Sequence, residues 1–271
     1  MSRTIRIGAF VAAATAAVLA VSGCAPASDS ETVTPDKLTI ATGQPAYEPW
    51  VVGDKPESGE GFEAAVAFAV AEELGFDAKD VVWVRSSFDS AIAPGPKDWD
   101  LNIQQFSVTD ERKQAVDFSS PYYTTTQAVV ANAGTAAGEA TDLAGLKDSL
   151  IGVAAGTTSY DVAKAEIDPT NEIQVFNSVD DVIAAMQSGQ IDAFVTDLPG
   201  AFYAVGAQLD DGVIVGQLNS KDGGDEFAIV LPKGSKLTAK TTAAVDALRE
   251  TGTLAELATK WPADQGAPVL K

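Results

Sequence analysis

The sequence predicts an α/β protein built in two parts, and three observations carry that prediction. Short β-branched runs alternate with stretches of helical apolar spacing, and the strand, helix, strand order occurs once before residue 100 and again between about Leu143 and Val215. The chain has 271 residues, 46% hydrophobic and 21% charged, which is enough to bury the core of one large or two modest domains.

The elements follow in order. Lys37 to Thr42 alternates as a strand does, and a loop with Pro45 and Pro49 follows it. From Gly61 to Leu74, Phe62, Val66, Ala69, Val70 and Leu74 recur at helical spacing, and Gly75 stops the helix. Val81 to Arg85 is a second strand, and Phe88 to Ile92 a turn of helix that Pro94-Gly95-Pro96 breaks.

The second unit places strands at Leu150 to Val153, Gln174 to Phe176 and Ala193 to Thr196, with helices at Ser159 to Glu166 and Ser178 to Ser188. Ser178 with Asp181 has the pattern of an N-cap and an early acid that suits the helix dipole. After the acidic loop Asp222 to Asp225, a strand at Phe227 to Leu231 leads to a helix ending at Gly252. Thr253 to Glu256 then has capping-box spacing for a last helix that ends near Trp261.

The N-terminus reads as an export signal. Arg3 and Arg6 precede an uncharged run from Ile7 to Val21, and Val21-Ser22-Gly23-Cys24 follows, so residues 1–23 are expected to be removed. That run is shorter than the ~20 apolar residues that span a bilayer, and no second such run occurs. Cys24, the only cysteine, resembles the acylated first residue of a bacterial lipoprotein, with residues 24–36 as the lipidated Cys and a tether. An ordinary cleaved signal with a stray thiol is the plainer alternative.

Composition removes several function classes. The net charge of −20 becomes −22 without the two leader arginines, which repels nucleic acid and anionic headgroups. There is no histidine, so imidazole-based triads and the commonest zinc and copper sites are unavailable. No Gly-Lys dipeptide or Gly-x-Gly-x-x-Gly helix opening supports nucleotide chemistry, and no cofactor is expected.

Four segments give the sharper reading. They are Ala46-Tyr47-Glu48-Pro49-Trp50; Ser107 to Arg112 running on to Val116-Asp117-Phe118-Ser119-Ser120-Pro121-Tyr122-Tyr123; Gly152 to Ser159; and Gly189 to Asp197. In this order and spacing they resemble the extracellular solute-binding proteins, family 3, that serve polar amino acid ABC importers. The resemblance implies a two-lobed periplasmic-binding-protein-like fold (type II) with two crossover hinge strands. Here the crossings fall near Tyr122 to Gln127 and Gly223 to Phe227, giving residues 37–122 and 227–271 to lobe 1 and 126–223 to lobe 2.

The same resemblance implies site residues. Arg112 matches an arginine that grips the ligand's α-carboxylate, a task suited to a planar fork of donors, and Ser107 matches a position serving the same carboxylate. Asp197 matches the carboxylate that receives the ligand's α-ammonium, and Thr158 opens a helix in the facing lobe. Tyr47 matches an aromatic covering the ligand, and Phe88 is expected as another wall. Gln104 and Gln105 stand where small residues are frequent in such proteins, and are expected to narrow the pocket. Gln44 stands where relatives of cationic specificity carry an acid, which weighs against lysine-like ligands.

The plainer readings are a solvated turn for Arg112, a helix cap for Asp197 or Thr158, a core ring for Tyr47 or Phe88, and solvent-facing amides for Gln104 and Gln105. The four tryptophans read as packing, and Asp222 to Asp225 as an exposed acidic loop rather than a calcium site. The expected function is non-catalytic capture of an amino acid for import, by a monomer held through its lipid on the outer face of the cytoplasmic membrane. The implied partners are a free amino acid and ABC importer permease subunits. The alternatives are an enzyme, since dehydratases acting on prephenate-like acids are similar to this fold, and a ligand-sensing partner of a receptor.

Overall fold

The computed structural model describes residues 30–218, 223–261 and 266–271. The leader, Cys24 and the tether as far as residue 29 lie outside the described residues, as does Asp222.

The first sheet has the order β2-β1-β3-β10-β4. It is made of β1 (Leu38–Thr42), β2 (Val81–Arg85), β3 (Leu101–Asn102), β4 (Val116–Thr125) and β10 (Asp225–Pro232). β1 pairs in parallel with both β2 and β3, and β10 runs antiparallel to β3 and β4. All of β1 is buried, which is why Leu-Thr-Ile-Ala-Thr carries no charge.

Helices α1 (Phe62–Glu73), α7 (Thr238–Glu250) and α8 (Thr253–Lys260) contact one another on this sheet, around Phe62, Val66, Val70, Val245 and Leu248. The short α2 (Phe88–Ile92) and α3 (Arg112–Ala115) complete the lobe. The sequence places α1, β2, α2 and α8 within a residue or two. The capping box expected at Thr253 and Glu256 does not form: Gly252, in the left-handed region, is the N-cap, and no side chain caps the helix.

The second sheet, β7-β6-β8-β5-β9, contains β5 (Gln127–Asn132), β6 (Ile151–Ala154), β7 (Gln174–Phe176), β8 (Ala193–Asp197) and β9 (Gly212–Gln217). β6 lies in parallel between β7 and β8, and β5 is antiparallel to β8 and β9. The helices are α4 (Ser159–Val162), which runs on as a π-helical turn from Ala163 to Ile167, α5 (Val179–Gln187) and α6 (Leu198–Tyr203). Ser178 caps α5 as expected, its hydroxyl accepting the Asp181 N–H at 3.1 Å.

The chain leaves the first sheet at Thr125 and enters the second at Gln127; it returns between Gln217 and Asp225. A further passage was not foreseen. Residues 266–271 lie against the second sheet rather than with lobe 1, where the sequence division 227–271 puts them. Leu270 is buried in the second core, its N–H donates to Gln217 at 2.9 Å, and Val269 bridges in parallel with Gln217. An apolar Val-Leu pair at a terminus is free to extend whichever sheet edge it reaches.

Candidate ligand-binding cleft

Between the two sheets lies a cavity of about 410 Å³, within the range of small-molecule sites. Tyr47, Phe88, Gln104, Gln105, Ser107, Arg112, Thr158 and Asp197 all line it. They come from strand ends, helix starts and connecting loops, where open α/β sheets present their ligand sites.

Arg112 opens α3 and is 8% exposed. Its guanidinium donates to the Ser107 carbonyl at 2.6 Å in its own lobe and to the Gly156 carbonyl at 2.7 Å in the other. The Phe88 ring lies under the cation, 5.3 Å from its carbon, and Phe88 itself stacks on Phe106 at 4.7 Å. Burial lowers the Arg112 pKa, while Asp225, Asp197 and Glu111 act to hold the proton. An arginine remains charged in any such setting, so the cleft carries a fixed cation. Solvated turn charge is therefore the wrong description of Arg112.

The lobes also approach each other at Gly156. It has φ +71°, and a Cβ there would fall 2.6 Å from Oδ1 of Asp89 in the first lobe. Only glycine meets both demands.

Opposite Arg112, Asp197 ends β8 and precedes α6 but makes no capping bond. Its Oδ1 accepts from the Gln127 amide at 2.5 Å. The same amide donates to Asp225 at 2.6 Å, and the Thr158 hydroxyl donates to Asp225 at 2.8 Å, so Thr158 does not act as a side-chain cap either. Ser159 completes the set by donating to the Gln127 side-chain carbonyl at 2.8 Å. Burial, with Asp225 close by, raises the Asp197 pKa well above the ordinary carboxylate range, against the pull of Arg112 and Gln127.

The reading of Asp222 to Asp225 as an exposed loop fails at Asp225, while Gly223 is exposed and Asp222 lies outside the described residues. Asp225 is partly buried and ties the start of β10 to the second lobe; the partners that draw it in come from β5 and the start of α4, which loop composition does not reveal.

Farther along the cleft the Tyr47 ring meets Tyr203 of α6 at 5.7 Å, one lobe to the other. Burial, together with Asp180 near the start of α5, raises the Tyr47 phenol's pKa. Gln104 lines the wall with its side-chain oxygen buried and without a hydrogen-bond partner among the described residues. Gln105 turns its amide to Glu63 of α1. Gln44 also lines the cavity, and so do the acids Glu48, Asp89 and Asp180. Among the described lining residues Arg112 is the only cation.

Sequence reading missed Gln127, Asp180, Tyr203, Asp225 and Glu63. The one available signal was Gln127, an amide at the start of an otherwise apolar strand at the first crossing. No group of three or more acidic, Cys or His residues suited to a metal occurs among the described residues.

Residues 38–264 match the bacterial extracellular solute-binding proteins, family 3. The L-arginine-binding protein of Pseudomonas aeruginosa is 31% identical over 231 residues, spanning 80% of this chain and 84% of that protein. Among solved structures, an ancestral arginine-binding protein bound to arginine superposes with a TM-score of 0.68 at 30% identity, covering 83% of this chain and 98% of the other. An ancestral amino acid-binding protein that is a precursor of cyclohexadienyl dehydratase gives a TM-score of 0.66 at 29% identity, over 83% and 95% of the two chains.

Proposed function

Since the chain belongs to the bacterial extracellular solute-binding proteins, family 3, we propose that its cleft clamps a free L-amino acid by both backbone charges and delivers it to an ABC importer. One observation supports this most directly: a fixed guanidinium from one lobe and a carboxylate from the other line the same cavity. Arg112 takes the α-carboxylate by two parallel charge-assisted bonds, with Ser107 beside it. Asp197 takes the α-ammonium, whose positive charge offsets the burial and the Asp225 repulsion that hold the acid's pKa up.

Closure and capture are then one event. A zwitterion that touches Arg112 and Asp197 together has contacts in the closed state that the open state lacks, and this difference in affinity shifts the population toward closure. Tyr47, Tyr203 and Phe88 exclude water and so strengthen the polar contacts.

The ligand's side chain is positively charged. With the backbone charges paired to Arg112 and Asp197, the lining still holds Glu48, Asp89 and Asp180, so a cationic group is favoured and a carboxylate disfavoured. Gln44 leaves no acid at the position that relatives use for this purpose, but Asp180 at the start of α5 supplies one from the other lobe. The relative from P. aeruginosa and the arginine-bound ancestral protein bind arginine by name, in keeping with this choice. Thermal unfolding of the chain with each of the twenty L-amino acids tests it, since a ligand of the native state raises apparent stability. Arginine, lysine or histidine should give the largest shift; a larger shift for glutamate would overturn the charge argument.

The cleft binds its ligand without converting it, and the protein works as a monomer tethered outside the cytoplasmic membrane by a lipid on Cys24. Among the described residues no helix is long and apolar enough to cross a membrane. Mass spectrometry of the chain purified from membranes tests the anchor: a diacylglyceryl mass on an N-terminal Cys24 is expected, and a free thiol there would refute it.

A further inference from the structure

One buried acid has no part in the clamp. Glu63 lies in the first turn of α1 and is 0% exposed, yet no cation is among the groups acting on its carboxyl. Three neutral donors converge on it instead: the Gln105 N–H at 2.8 Å, the Gln105 side-chain amide, and the hydroxyl of Tyr122. Gln105 holds φ +51°, a left-handed conformation that a residue other than glycine keeps only where its surroundings impose it.

What Gln105 pins is a cavity wall. Gln104 and Ser107 flank it in the lining, and the Ser107 carbonyl carries one of the two bonds that orient the Arg112 guanidinium. Tyr122 belongs to β4, the strand that leads into the first crossing. A single carboxyl therefore ties α1 to the ligand-carboxylate wall and to the hinge strand.

We propose that Glu63 is a positioning residue: ionised, it holds residues 104–107 in the geometry that binds ligand, and its protonation loosens that wall and weakens binding. The reason is one of valence. A carboxylate accepts all three donors as they stand, whereas a carboxylic acid presents an O–H from one oxygen, so that the group facing it, the Gln105 side-chain amide or the Tyr122 hydroxyl, must turn to accept it. The groups that face it are Gln105 from the wall, Tyr122 from β4 and, through space, Asp197 at the end of β8. Burial lifts Glu63 to about 7, partly offset by the Tyr122 and Gln105 bonds, so the change falls in the neutral range.

The inference rests on the reading of the cleft as an amino-acid site, and its test has one arm that does not. In the ligand-free protein, carboxyl 13C and amide NMR should show the Gln105 backbone and side-chain amide signals moving with the titration of Glu63. The midpoint should rise in Tyr122→Phe, which removes a bond that favours the ionised form. Gln105 signals that ignore the Glu63 titration would overturn the proposal whatever the cleft binds.

In the second arm, L-arginine affinity is measured by calorimetry from about pH 5.5 to about 8.5. Wild type should lose affinity roughly five- to tenfold on acidification about the NMR midpoint. Glu63→Gln should lack that component, and Tyr122→Phe should move it upward. Asp197 contributes its own loss on acidification, which persists in Glu63→Gln with its midpoint moved to lower pH, since the Glu63 charge helps to raise the Asp197 pKa. An inflection unchanged by both substitutions would overturn the proposal, and so would a Glu63→Gln loss of equal size at every pH. Absence of binding by any amino acid at any pH would instead refute the clamp, with the NMR arm still deciding the role of Glu63.

Discussion

Arg112 and Asp197 carry opposite tasks, and their substitutions should fail in different ways. Arg112→Ala leaves a ligand carboxylate without its buried cation and should cost on the order of 2–5 kcal/mol of binding free energy, measured by calorimetry. Arg112→Lys should recover only part of this, since an ammonium keeps the charge but not the fork. Asp197→Asn should abolish tight binding of amino acids at every pH.

In wild type the raised Asp197 pKa makes binding release a proton, because the ligand's ammonium stabilises the ionised form. Affinity should therefore fall with pH, beginning above the range usual for a carboxylate. The enthalpy should depend on the ionisation heat of the buffer, and no such dependence would count against Asp197 as the ammonium partner.

Glu63 adds a stability prediction at the same scale. Its folded pKa of about 7 lies above the ordinary 4.5, so the native state binds the extra proton between those values. Its contribution to stability is full below 4.5 and is lost as pH rises through 7. Denaturation with urea at both ends of that window should show Glu63→Gln gaining on wild type by on the order of 2–3 kcal/mol as pH rises.

Among the elements, α5 shows what a sequence can specify. Ser178, the acids at Asp180 and Asp181, and the buried stripe of Val182, Ile183 and Met186 all agree on a helix, and it forms where predicted. Ser178→Ala should lower stability by about 1 kcal/mol through loss of the cap. Because Ser178 also lines the cleft, ligand affinity reports separately on any second role.

By contrast, the helical spacing of α1 says nothing of Glu63, which is fully buried with Phe62 and Ala64 in the first turn. Its acceptors are satisfied by Gln105 and Tyr122, which are distant in sequence. Asp225 was hidden for the same reason, since its value depends on Gln127 and Thr158. Local pattern thus reveals elements and the motif-borne residues of the cleft. Bonds that close only in three dimensions, and the docking of residues 266–271 on the second sheet, lie beyond it.

For the whole molecule, the contacts between the two lobes include the Arg112 bond to Gly156, the Tyr47 and Tyr203 rings, and Gln127 and Thr158 on Asp225. Gly156→Ala sets a methyl against Asp89 and strains a left-handed residue, so it should hinder closure. Small-angle scattering should show wild type contracting on addition of ligand and the variant contracting less.

The surplus of acids in the cleft gives affinity for a cationic ligand an ionic-strength dependence that a neutral amino acid would lack. The most direct test of the central claim is calorimetry of the strongest-binding L-amino acid beside its decarboxylated and its deaminated analogues. The two-charge clamp predicts that each analogue binds at least about a hundredfold more weakly, roughly 2.7 kcal/mol or more for either lost charge. An amine or an acid that binds as tightly as the intact amino acid would contradict the assignment of Arg112 and Asp197 as the two jaws.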